Sequence, residues 1–250
     1  MIEHHFKKKD PAGLIEAINK CTQGRDVLLI KNILKTYSLN DFGQILKDQL
    51  GFKNDNRQLN LDNALQRMTW WPIIYDKTRD DAYTHSKTRQ PLHNDSAWFS
   101  DPAEMVFLAI EKQAKIGGET TIYTLERLLN DLENEDKTLL SDLQSIKVRI
   151  KKEISGKYYN KTSIIKNENS IYWNYYRTEK KERTIKLMCE KFFKFLEKKE
   201  QTNSVEIFKG ESSDIICFND IKLLHGRLKF NARKKGDRIL HQSMWFINNL

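Results

Sequence analysis

Four short apolar runs crowd the C-terminal part of this chain: Val205 to Phe208, Asp214 to Phe218, Leu223 to Phe230 and Arg238 to Ile247, separated by glycine and charged turns. Each is of strand length and carries the β-branched and aromatic residues that suit a pleated sheet. Strands following one another through short turns pair antiparallel. Burying their apolar faces requires sheets packed on each other as a sandwich or jelly roll, with any helices flanking them.

The rest of the chain supplies both. Asp10-Pro11 followed by Leu14, Ile15 and Ile18 predicts a first helix capped by Asp10, and Asp26 to Lys31 predicts a buried strand. Leu39, Phe42, Ile45, Leu46 and Leu50 share one face of a helix over Ser38 to Leu50. Glu104 to Tyr123 reads as strand broken at Gly117-Gly118, and Leu125 to Leu140 as helix with a break near Asn134. Ile146 to Ile154 and the aromatic stretch Ser170 to Tyr176 read as strands, and Thr184 to Lys199 as a helix. The fold class expected is mainly β with flanking α-helices. Four prolines, ten glycines and no repeat or low-complexity tract leave no visible linker, so one domain over residues 1–250 is expected.

Composition excludes several classes. With 39% hydrophobic and 10% aromatic residues the chain is too apolar to be disordered. Its mean hydropathy of −0.68 is too low for a membrane protein. The longest apolar run, Met105 to Ile110, falls far short of the roughly 20 residues that cross a bilayer. Cys21, Cys189 and Cys217 are an odd number without a close pair, which fits a reducing compartment and no disulfide framework. The polar start, Met1 to Lys9, lacks a secretory pattern, so a cytoplasmic location is expected. The +9 net charge raises nucleic acid as a partner, but the lysines fall in scattered clusters, as on a solvated surface, and argue against it.

The chemistry concentrates around His93-Asn94-Asp95. At a strand end, residues two apart project to one side, so an imidazole and a carboxylate can grip one ion. Chance supplies about one such His-x-acid triplet in a chain of this composition, so its companions matter. His225 follows the apolar strand Asp214 to Asp220, inside Leu223-Leu-His-Gly-Arg227. Two imidazoles and one carboxylate on one face form the facial triad of non-haem Fe(II) oxygenases, which leaves three octahedral positions open.

In its ordered motifs the sequence resembles the Fe(II)- and 2-oxoglutarate-dependent oxygenases of the taurine dioxygenase type, a family that includes clavaminate synthase-like enzymes. His93-Asn-Asp95 matches the proximal ligands. Gly117-Gly-Glu-Thr120 matches a Gly-Gly-acid-Thr element whose threonine lies 27 residues after His93. Phe218-Asn-Asp220 with His225-Gly-Arg227 matches the distal ligand segment, and Arg238 lies thirteen residues beyond His225. The resemblance implies a double-stranded β-helix, the jelly roll, with His93, Asp95 and His225 as metal ligands. It also implies Fe(II), 2-oxoglutarate and O2 as the reactive partners. Arg238 would anchor the far carboxylate of 2-oxoglutarate, which a planar guanidinium meets in bidentate fashion, and Thr120 would add a hydrogen bond. Arg227 and Arg233 are the alternative anchors. Of Thr120 and Thr121 only one can face the cosubstrate, and spacing favours Thr120.

The reaction implied is oxidation of a small polar metabolite such as an amino acid, by hydroxylation or desaturation, with release of succinate and CO2. Asp95 argues against halogenation, since the halogenating relatives carry a small residue there. The substrate candidates are Asn94, Trp98, His85 and Arg79, with Tyr83 and the Tyr172 to Arg177 segment beside them and Asp80 and Asp81 next to Arg79 in an expected lid. Two other readings remain open on the sequence: a non-catalytic binding protein of the same fold, and an oxygenase that demodifies nucleic acid or protein.

Overall fold

The run Met105 to Ile110 is buried along its whole length, and its alternation fixes the layers of the molecule. Met105, Phe107 and Ala109 pack toward one core together with Leu14, Ile18, Phe42 and Leu46 of the N-terminal helices. Val106, Leu108 and Ile110 pack toward another, with Ile122, Leu223, Ile216, Phe218, Leu240 and Met244. A strand apolar on both faces must lie between two layers. Here those layers are a pair of helices and a second sheet.

This computed structural model describes residues 2–5, 11–22, 27–57, 68–79, 83–152, 158–202 and 204–247. The expected cap Asp10, Asp26, and Asp80 and Asp81 of the expected lid lie outside the described residues. In chain order the elements are β1 (Ile2–His5), α1 (Pro11–Thr22), β2 (Leu28–Lys31), α2 (Leu39–Leu50), β3 (Lys53–Asn54), β4 (Trp71–Ile74), β5 (Gln90–His93), β6 (Met105–Lys112) and β7 (Thr120–Thr124). There follow α3 (Leu125–Glu135), α4 (Lys137–Ser145), β8 (Lys147–Lys151), β9 (Tyr159–Ser163), β10 (Ile165–Lys166), β11 (Ser170–Ile171), α5 (Arg183–Gln201), β12 (Glu206–Phe208), β13 (Ile215–Asn219), β14 (Leu223–Arg227) and β15 (Ile239–Phe246).

The larger sheet runs β1-β2-β13-β6-β15-β3, with β4 also paired to β15, and the smaller runs β12-β7-β14-β5. Within both, every pairing except β1 with β2 is antiparallel. The two sheets face each other as a jelly roll. The outer face of the smaller sheet, through Tyr123 and Leu224, rests on a third core that includes Leu128, Leu132, Leu143, Phe192 and Leu196 of α3, α4 and α5. No helix among the described residues is long and apolar enough to cross a membrane.

The helix boundaries follow local chemistry. Ser38 and Asp41 form a reciprocal capping box at the start of α2, and Gly51 closes it in the left-handed region at φ 66. The helical break falls at Asp136, two residues beyond the expected Asn134, because the Asp136 side chain accepts from the Leu139 N–H and caps α4 afresh. The aromatic stretch departs from expectation. Strand β11 ends at Ile171, and at Trp173 the backbone bonds instead to Asn94, whose side-chain oxygen and main-chain N–H take the places of a neighbouring strand.

Phe107 is fully buried between α2 and the larger sheet, with its ring edge-on to Phe42 at 5.8 Å. Phe107→Ala should lose about 3–5 kcal/mol of stability, seen as a lower urea midpoint at unchanged slope.

Candidate active site

Strands β5 and β14 are neighbours in the smaller sheet, and their register sets His225 directly across from His93. That single pairing joins residues 132 positions apart and brings their rings to 4.4 Å between centroids. Next along the pair Arg227 faces Gln90, so β5 holds one residue more than β14 over this interval. Pro91 lies in that bulge, where its missing N–H costs no ladder bond. Its carbonyl accepts from His93 Nδ1 at 2.9 Å. A carbonyl can only accept, so Nδ1 carries the proton and the Nε2 lone pair of His93 faces inward. His225 is turned the same way: its Nδ1 lies 2.9 Å from Asp220 Oδ1.

Asp95 stands just beyond the end of β5 and closes the triangle. Its Oδ1 is 3.6 Å from His93 Nε2 and its Oδ2 is 3.3 Å from His225 Nε2. One ligand atom from each of the three residues lies within 4.8 Å of the others. Asp95 is held by its backbone N–H, which donates to Asp220 Oδ2 at 2.8 Å, and by Gln242 Nε2, which donates to Asp95 Oδ2 at 2.5 Å. Burial alone would raise the Asp95 carboxyl, but the imidazoles of His225 and His93 outweigh it and hold it well below the usual carboxylate range. Burial alone would lower the His225 imidazole, but Asp95 and Asp220 together push it up to about 10. Two carboxylates about one imidazole call for positive charge at the centre of the triangle. Two nitrogens and one oxygen suit ferrous iron.

A second feature adjoins this one on the same face. Thr120 pairs with Arg227 across β7 and β14, and Ile122 pairs with His225, so Thr120, Arg227 and His225 all face between the sheets while Thr121 faces the other way. Arg238, at the entrance to β15, is buried and bonds only weakly: Nε to Gln113 Oε1 and Nη2 to the Gly118 carbonyl, both at 3.3 Å. The guanidiniums of Arg227 and Arg238 lie 5.1 and 5.3 Å from the Phe230 ring centroid. No carboxylate among the described residues forms an ion pair with either. Burial, and for Arg238 also the nearby Arg227, push Arg227 down to about 10 and Arg238 to about 9. Arg227 Nη2 is spent on the carbonyls of Tyr83, Ser86 and Thr88, whereas Arg233 is exposed. Of the two buried guanidiniums Arg238 is the more weakly bonded, although Arg227 Nε is also a buried donor without a hydrogen-bond partner. The Gly-Gly element explains itself here. Gly117 and Gly118 both sit at positive φ, and a Cβ on Gly117 would lie 2.1 Å from the Lys229 carbonyl oxygen.

Beside His93 a small cleft opens toward solvent, lined by Tyr83, Gln90, Asn174, Tyr175 and Tyr176 and by Pro91 and Leu92. Tyr83 and, from the Tyr172 to Arg177 segment, Asn174, Tyr175 and Tyr176 line it as the sequence suggested, but Asn94, Trp98, His85 and Arg79 do not. Asn94 is buried, its Nδ2 donating to the carbonyls of Asp220 and Leu223 and its Oδ1 accepting from Trp173 N–H, so the amide is spent on the fold. Trp98 packs against the core under the smaller sheet. His85 Nδ1 bonds the Ile74 carbonyl, and Arg79 ends a short turn held by Asp76. Asp220 lies in the Phe218-Asn-Asp220 motif and Asn174 in the Tyr172 to Arg177 segment, whereas Gln90 and Gln242 carry no motif of their own, and only position, three residues before a ligand or on the inward face of a strand, could have found them.

The family model for the taurine catabolism dioxygenase TauD, TfdA family matches residues 4–244. No curated protein matches the chain by sequence. Among solved structures, the non-haem iron oxygenase OrfP, as a point mutant in complex with (3S)-hydroxy-L-Arg, aligns at TM-score 0.69 and 12% identity, covering 95% of this chain and 81% of that one. An asparagine oxygenase in complex with Fe(II), 3-hydroxyasparagine and succinate aligns at 0.63 and 12%, covering 96% and 78%. PvcB of Pseudomonas aeruginosa aligns at 0.62 and 14%, covering 97% and 82%. The chain belongs to the taurine catabolism dioxygenase TauD, TfdA family.

Asn94→Ala leaves two buried carbonyls and one N–H without partners, at about 1–3 kcal/mol each. Urea denaturation should show a loss of several kcal/mol, which a purely substrate-binding side chain would not produce.

Proposed function

We propose that this member of the TauD, TfdA family uses His93, Asp95 and His225 to hold Fe(II), and Arg238 with Thr120 to dock 2-oxoglutarate, in the oxidation of a small amino acid or related metabolite. The chain is an iron- and 2-oxoglutarate-dependent oxygenase. The observation that carries the residue assignment is the β5·β14 register, which sets the two imidazoles opposite each other with Asp95 in reach, beside a buried arginine that forms no ion pair with a carboxylate among the described residues.

A ferrous ion held by His93, Asp95 and His225 would supply the oxidative chemistry, coupling decarboxylation of 2-oxoglutarate by O2, to succinate and CO2, to oxidation of a substrate C–H bond. The chain does the rest. His93 and His225 present their Nε2 atoms, their Nδ1 atoms being engaged behind them. Arg238 offers a desolvated guanidinium to the far carboxylate, and a dicarboxylate relieves the cost of burying that charge. Thr120, on the inward face of β7, supplies a hydroxyl from the same side. The substrate would enter by the cleft beside His93, where tyrosine rings, Pro91 and Leu92 form largely apolar walls set with the amides of Gln90 and Asn174 and no charged side chain besides His93. Such walls suit a small polar molecule bound through hydrogen bonds and ring contacts. The two similar oxygenases in complex with hydroxylated arginine and hydroxylated asparagine support an amino acid as the substrate class. A cytoplasmic location fits the three cysteines, all buried and none in a disulfide.

Anaerobic addition of Fe(II) and 2-oxoglutarate should produce a visible metal-to-ligand absorption band. Its absence in folded protein, or its persistence in His225→Ala, would refute the assignment. Succinate release triggered by individual amino acids would identify the substrate. Arg238→Met should raise the 2-oxoglutarate requirement about a hundredfold or more, as expected when one member of a buried charge pair is lost. The ligand-free variant should melt no lower than the parent, because the residue removed is a buried cation without a carboxylate partner.

A further inference from the structure

We propose that Asp220 is the positioning residue of the metal centre, holding His225 and Asp95 in ligand geometry through its two carboxylate oxygens. This rests on the triad being a metal site. Asp220 sits in the single turn of 3-10 helix, Asp220–Lys222, that joins β13 to β14, and its side chain is fully buried. Oδ1 faces His225 Nδ1 at 2.9 Å. Oδ2 accepts from the Asp95 backbone N–H at 2.8 Å. The two donors come from segments more than a hundred residues apart and converge on one group.

An aspartate suits this place and an asparagine does not. Two N–H donors require two acceptor oxygens, and a carboxylate offers both. An amide offers one, and its NH2 would be set against whichever donor remained. The bond to His225 fixes the Nδ1–H tautomer and aims Nε2 at the centre, and an anionic acceptor makes that nitrogen a better donor to a metal. The bond to Asp95 acts on the backbone and leaves both carboxylate oxygens of Asp95 for the metal and for Gln242.

Asp220 is itself held rigidly. Its N–H donates to the Glu104 carbonyl at 2.7 Å, and its carbonyl accepts from Asn94 Nδ2. Asn94 lies between the two ligands of the His-x-Asp triplet. The proximal pair and the distal histidine are thus tied to one turn by main chain and side chain alike. His93 differs: its Nδ1 partner is the Pro91 carbonyl, a neutral group from its own strand. Asp220 is the anionic support on the distal side.

The test is metal affinity and coordination, read without turnover. Purified protein freed of metal is titrated anaerobically with Co(II) in the presence of 2-oxoglutarate, and the d–d absorption of the bound ion is recorded. Asp220→Asn should bind Co(II) about 10- to 100-fold more weakly, the range expected when such a support is lost, with an altered d–d spectrum. Wild-type affinity and spectrum in Asp220→Asn would overturn the proposal, as would a lowered melting temperature with affinity unchanged, which is the mark of a merely structural residue. Should the variant not fold, the wild-type protein loaded with Zn(II) decides: the His225 Nδ1 proton should give a downfield, exchange-protected NMR resonance, and its absence would overturn the proposal. Failure of the parent reading looks different, since the wild-type chain itself would then bind no Co(II).

Discussion

One pair of hydrogen-bonded strands carries the chemistry of this molecule. Strand β14 is clamped between β5 and β7, and its register against each decides what converges: His225 across from His93 on one side, Arg227 across from Thr120 on the other. A slip by one residue would turn His225 to the outer face, into the core that rests on α5, and carry Arg227 out with it. Register is therefore the constraint that the apolar residues of β14 must enforce. They do so by alternating: Leu223 faces the opposing sheet and Leu224 the outer helices. The hydrophobic pattern that folds the strand is the same pattern that aims its imidazole.

Charge is distributed to match. The interior between the sheets holds two carboxylates, Asp95 and Asp220, around one imidazole, and a short way along β14 two guanidiniums that share the face of Phe230. Each group is costly on its own in a desolvated space. Together they form a negative pocket suited to a divalent cation next to a positive pocket suited to a dianion. A metal chelated by one end of a dicarboxylate, with its other end on an arginine, satisfies both at once.

Much of this was legible in the sequence, for a definable reason. Residue types able to hold a metal or anchor a dicarboxylate are few and ordered along the chain, so His93, Asp95, Thr120, His225 and Arg238, the residues proposed for those roles, stand out by type and spacing, and the fold brings the first two together with His225. The amphipathic faces of α1 and α2 and the C-terminal strands were legible from periodicity, because one face of each must be apolar. The cleft was legible only in part, through Tyr83 and the Tyr172 to Arg177 segment. Asn94, between two ligands, looked like a pocket residue, yet burial turned its amide onto Asp220, Leu223 and Trp173. The cleft instead draws on Gln90, placed by a bulge, and on Tyr175 and Tyr176, where the chain had already left its strand. A bulge or an early strand end depends on tertiary bonds between distant segments, and local pattern does not encode those.

The span of chain between His93 and His225 has a kinetic corollary. The intervening segment contributes β6, β7, β13 and three of the helices before β14 can dock, so closing that loop comes late and at an entropic cost. Nascent chains ending before His225 would carry only two of the three proposed ligands. A ferrous ion would thus meet its full set of ligands only after β14 has paired, and oxygen chemistry would be withheld from the incomplete polypeptide.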